Sequence, residues 1–185
     1  MKPQGPVILL CLIVAGAALA YLSERMLPLG YGVAVLWLGA VVIANGSIWF
    51  GAWGVVAGIL FPFLAGRLEG ADPQAVSLAV LPNLLEGLIP ALAFRRLHAD
   101  PALQDRRSLV LYAVWAVAIP SLVGGVLGAW LWMLAGRIDG PTFRLLAFDW
   151  SLSNMVVLIV FGFPALYLLT PILRQRGWLV GSWWR

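Results

Sequence analysis

Residues 76–96 read VSLAVLPNLLEGLIPALAFRR, from Val76 to Arg96. The stretch is apolar enough to cross a bilayer, yet Asn83 and Glu86 lie inside it. A carboxylate near mid-membrane costs roughly 2.5–3.5 kcal/mol on insertion scales. Such a group persists where it faces a bundle interior, a partner or a wet cavity. Asn83 and Glu86 are three residues apart, so they share a helix face. Pro82 precedes them and Pro90 follows, which makes nearby backbone carbonyls candidates to lack intrahelical partners. Two roles stay open for Glu86: a hydrogen-bonded lock between helices, or part of a ligand or ion site.

The rest of the chain has the same character. Of its 185 residues, 62% are hydrophobic and 11% charged, with a mean hydropathy of +0.95. Soluble domains carry about 25% charged residues. The expected fold class is an all-α integral membrane protein, a compact bundle of six transmembrane helices in one domain over residues 1–185. The spans are expected at residues 7–22, 30–44, 48–66, 76–96, 109–135 and 150–173. The formal charge of +4 reads as basic loops facing headgroups and cytosol, not as a nucleic-acid signal. Cys11 is the single cysteine, which excludes an intrachain disulfide and a multi-cysteine metal site.

Span one ends in Ala18-Leu19-Ala20, which also fits a cleavable signal peptide. An uncleaved helix is the preferred reading, because the same composition continues along the chain. Gly16 and Ala20 form a small-residue pair that admits close helix approach, from this chain or from a partner. Span two carries Tyr31 and Trp37 and is expected to break at Asn45-Gly46-Ser47, as a tight hairpin or as a re-entrant turn lining a cavity. Gly51, Gly54 and Gly58 make a smooth stripe on span three, with Pro62 kinking its far end. Asp100-Pro101 is expected to cap a short interfacial helix. His98, beside Arg95 and Arg96, reads as a solvated loop residue. Span five combines Pro120 with Gly124, Gly125 and Gly128, and residues 136–148 read as a loop. Span six opens on Asp149, Ser151, Ser153 and Asn154. Asp149 fits an N-terminal cap, whereas Asn154 is about 7 Å deeper at 1.5 Å per residue.

Six spans put both termini on one side. Eight of the twelve basic residues lie there: Lys2, Arg95, Arg96, Arg106, Arg107, Arg174, Arg176 and Arg185. Arg25, Arg67, Arg137 and Arg144 lie on the other. The positive-inside rule places both termini in the cytoplasm. The candidate pocket then opens outward and brings Asn83 and Glu86 against Asp149, Ser153 and Asn154, with Trp37 or Tyr31 as an apolar wall.

Several chemistries lack their parts. Lys2 is the only lysine and no P-loop is present. HExxH, paired Cys/His ligands and GxSxG are absent, and nothing reads as a nucleic-acid module. No catalytic activity, metal or cofactor is expected.

The chain resembles the substrate-binding (S) components of energy-coupling-factor transporters. The resemblance rests on small size, six spans, Gly16 and Ala20, WFGAWGVVAG (Trp49 to Gly58), PNLLEGLIPAL (Pro82 to Leu92) and the polar start of span six. It implies an outward pocket for a vitamin-like solute or ion in a bacterial inner membrane. It also implies uptake driven by a separate transmembrane coupling subunit and ATPases, with Gly16 and Ala20 facing that partner. The same glycine-aromatic pattern is similar to bacterial membrane sensor domains. A sensor acting through a partner protein and a non-catalytic membrane scaffold are the alternatives.

Overall fold

The computed structural model describes residues 5–26, 28–30 and 33–179. The chain is a helical membrane protein. Four continuous helical stretches are long and apolar enough to cross a bilayer: Gly5–Met26, Pro73–Arg96, Arg106–Leu134 and Gly140–Gln175. The first is α1 (Gly5–Met26), followed by a small antiparallel ribbon of β1 (Pro28–Gly30) and β2 (Val33–Ala34). The second span therefore does not begin at Gly30. Its helix, α2, runs from Gly39 to Phe50, and α3 from Ala52 to Leu68.

The turn between α2 and α3 is at Gly51, with φ 59° and ψ −126°, a conformation suited to glycine. Asn45-Gly46-Ser47, the expected break, is helical and buried. Turn propensity lost there to packing: a Cβ on Gly54 would stand 2.2 Å from the Gly46 carbonyl carbon and oxygen. The two backbones touch, and Gly58 likewise lies against Ile43. Nine of the twelve α2 residues are buried, so α2 is the axis around which the other helices pack.

A cap and a break organise the next stretch. Asp72 accepts from the Gln74 N–H and starts α4 (Pro73–Leu78), which breaks at Ala79 before α5 (Val80–Arg96). No interfacial helix forms behind Asp100-Pro101. Asp100 instead accepts from Ala102 N–H and pairs with Arg174, while Asp105 caps α6 (Arg106–Tyr112).

Two long helices close the bundle, and each contains a π turn. Ala113–Ala118 joins α6 to α7 (Ile119–Leu134), and Leu158–Gly162 joins α8 (Gly140–Val157) to α9 (Phe163–Gln175). Each π turn ends just ahead of a proline, Pro120 or Pro164. Proline lacks an N–H and clashes with the carbonyl four residues back, and one extra residue in the turn removes that clash. Two carbonyls of the second π turn gain partners from other helices. Leu158 accepts from the Tyr112 hydroxyl at 2.9 Å and Gly162 from Asn45 Nδ2 at 2.8 Å.

The start of α8 also differs from expectation. Asp139 accepts from Thr142 N–H and Pro141 sits in the first turn, so residues 140–148 are helix, not loop. Asp149 is consequently mid-helix and caps nothing.

Candidate functional site

A cavity of about 320 Å³ lies between α1, α3, α4, α5, α7 and α8. That is the low end for ligand pockets between helices, which run roughly 300–1,000 Å³. Its lining falls into three levels. Asn83, Ser153 and Asn154 are polar groups from deep in α5 and α8. Trp37, Trp132 and Trp150 give aromatic wall, with Pro62, Val76 and Ala79 between them. Glu24, Glu69, Asp72 and Arg137 come from helix ends and loops.

The polar level is built by helix periodicity. Ser153 and Asn154 lie three and four residues after Trp150 on α8, on the same face as its ring. Ser153 Oγ accepts from the Trp37 backbone N–H at 3.3 Å, which ties the segment leading into α2 to the pocket. The Trp37 ring stacks on Phe61 at 6.2 Å between centroids. Asn154 Nδ2 donates to Glu86 Oε1 at 2.9 Å, leaving Asn154 Oδ1 without a partner among the described residues. Asn83 Oδ1 also has none, although Asn83 is only 2% exposed.

Glu86 lies behind this level and does not line the cavity. It is 4% exposed and is enclosed by α5, α7 and α8. Its other carboxyl oxygen, Oε2, has no hydrogen-bond partner among the described residues. The space for the carboxyl group comes from Gly124, where a Cβ would stand 1.9 Å from Oε1. Gly125 similarly admits Ser151, and Gly128 admits the Trp150 ring. The glycine stripe of span five is thus the surface against which the site helices close.

At the loop end, Arg137 pairs with Asp72, donates to Gln74 Oε1 at 3.1 Å and lies over the Trp132 ring at 5.9 Å. The hydrogen bond from Arg137, helped by the Gln74 N–H, holds the Asp72 carboxyl below the usual carboxylate range. Glu24, from α1, and Glu69, at the end of α3, line the same cavity.

Of the residues expected at the site, Asn83, Ser153, Asn154 and Trp37 come together on the lining. Glu86 supports them from behind. Asp149 is half-buried on α8 and off the lining, because it is one residue away from the Trp150 face. Tyr31 lies outside the described residues. Gly16 and Ala20 are occupied within the chain: a Cβ on Gly16 would meet Phe61 at 2.4 Å, and Ala20 is 1% exposed. They form a seat for α3 within the chain. Sequence reasoning missed Glu24, Glu69, Arg137, Trp132 and Trp150. Only Trp150 carried a usable signal, its spacing to Ser153 and Asn154.

Among the described residues, no group of three His, Cys, Asp or Glu side chains is arranged to hold a metal ion. Comparisons of this chain with family models, with curated proteins and with solved structures give no match.

Proposed function

We propose that this chain is a membrane-embedded binding subunit that takes a small organic solute into the cavity for uptake. The observation that carries the reading is the cavity lined by Asn83, Ser153 and Asn154, with Asn83 Oδ1 and Asn154 Oδ1 buried and without partners among the described residues. Buried acceptors left unpaired cost about 1–3 kcal/mol each, so a ligand that donates to them gains specificity as well as affinity. In this reading the bundle crosses the bilayer six times, with both termini in the cytoplasm and the cavity mouth outside. Energy for uptake comes from a separate transmembrane subunit and ATPases, since the sequence has one lysine and no phosphate-binding loop.

The test has two stages. A thermal-shift screen of the purified protein in lipid nanodiscs should identify solutes that raise its melting temperature, and Asn83→Leu should abolish the shift. Uptake of such a solute into vesicles should then require ATP and the partner subunits. Full uptake by the chain alone would refute energy coupling, and a shift unchanged in Asn83→Leu would refute the pocket.

A further inference from the structure

The hydrogen-bonding sense of the cavity is one-sided. Two buried amide acceptors on lining residues, Asn83 Oδ1 and Asn154 Oδ1, have no partner among the described residues. Among the described residues, the lining holds three carboxyls, Glu24, Glu69 and Asp72, against one guanidinium, Arg137. That guanidinium is committed to Asp72, Gln74 and the Trp132 face. What remains on the lining is two carboxyls, Glu24 and Glu69, together with three indole rings. Carboxyls gathered on one enclosed lining favour a proton or a cation beside them. Indole faces attract cations and gain most when the site is desolvated. An anionic ligand would meet this carboxyl pair without a free guanidinium to offset it.

We infer that the cavity selects a small organic cation, an ammonium or amidinium on a compact flat body. Its charged head lies at Glu24 and Glu69, its body lies against the tryptophans, and a second donor reaches Asn83. This deepens the proposed binding function and rests on it. Asn83, a lining residue only 2% exposed whose Oδ1 has no partner among the described residues, is an observation independent of the carboxyls.

The test uses matched probes that differ in the charge of the head. Tryptamine, tryptophol and indole-3-acetate form one set, and benzamidine, benzamide and benzoate the other. Binding to the intact protein in nanodiscs is measured by calorimetry and thermal shift. The cation should bind at least about ten-fold tighter than its neutral match in at least one set, with the anion weakest. Glu69→Gln or Glu24→Gln should erase that gap while melting without probe is retained. The wild-type ranking stands as a test even if one variant folds poorly. Equal or reversed ranking overturns the cation assignment and leaves the cavity reading in place. A gap that survives both substitutions overturns the assigned carboxyls. Silence from every probe in both sets overturns the assignment and counts against the binding reading as well.

Discussion

Glu86 and Gly124 are a matched pair, and each defines the other's tolerance. A methyl group at Gly124 would occupy the position of Glu86 Oε1. Gly124→Ala should therefore destabilise the protein by about 1–3 kcal/mol, the usual cost of overpacking. In a Glu86→Ala background the same substitution should cost less, because the obstructing carboxyl is gone. A double-mutant cycle on denaturation midpoints measures this, and additive costs would show that the two residues do not compete for space. Glu86→Gln should keep the Asn154 contact, whereas Glu86→Leu removes the acceptor and leaves Asn154 Nδ2 unpaired, so the leucine variant should melt lower. The polarity of this site was legible in the sequence because a buried carboxyl in an apolar helix has few explanations. Its position relative to the cavity was not. Asn83 and Glu86 share a helix face by spacing, but that spacing does not say which of them faces open volume. Asp149 shows the same limit, since one residue of helical rotation takes it off the lining.

At the level of elements, the two expected caps, Asp100 and Asp149, start no helix, and the helices begin instead at Asp72, Asp105 and Asp139. Asp139 and Pro141 start α8 as an N-cap and first-turn proline do, but the surrounding residues were read as a loop. Asn45-Gly46 resembles a turn and is instead the closest contact of the α2–α3 hairpin. Gly54→Ala would push a Cβ into the Gly46 backbone, which has no rotamer to yield. A loss of about 3 kcal/mol or more is expected, at the upper end for overpacking. If its denaturation midpoint matches wild type, the backbone contact is wrong. The proline-linked π turns make a different prediction. Tyr112→Phe removes the donor to the Leu158 carbonyl and should cost about 1 kcal/mol. In a Pro164→Ala background the helix can regain its ordinary register, so the two losses should not add. The caps give a pH dependence. Asp72 is held down by Arg137, Asp105 by Ser108 and Asp139 by Thr142, each chiefly through a hydrogen bond from that residue's side chain. A carboxyl whose folded pKa is lowered contributes stability above its unfolded value, about 3.9 for Asp, and loses it as pH falls through the folded value. Melting should be insensitive to these groups from neutral pH down to about pH 5, then decline with acid. Asp72→Asn should remove part of that decline.

For the whole molecule, helical class and membrane character were legible because apolar content this high leaves few other solutions. The arrangement was not, because two of the apolar helices are too short to declare themselves as spans. At 1.5 Å per residue α2 covers about 18 Å, against a hydrocarbon core of about 30 Å. Sidedness is tested by labelling Gln104→Cys and Gly140→Cys in a Cys11→Ala background, since Cys11 is itself exposed. Gln104 is preferred to Ser108, which is buried in the Asp105 cap. An impermeant reagent should modify Gly140→Cys in intact cells and spare Gln104→Cys, and the opposite pattern would invert the bundle. The burial of α2 also bears on how such a chain is made. Asn45 finds its partner at Gly162, 117 residues later, and Trp49 finds Thr170, 121 residues later. A ribosome must therefore deliver most of the protein before the central helix has its polar contacts. Until then α2 is a short, polar-bearing segment that lipid alone supports poorly. Maturation of this protein consequently ends in a closing step, and premature termination before Gly162 leaves Asn45 and Trp49 without the polar partners that complete the burial of α2.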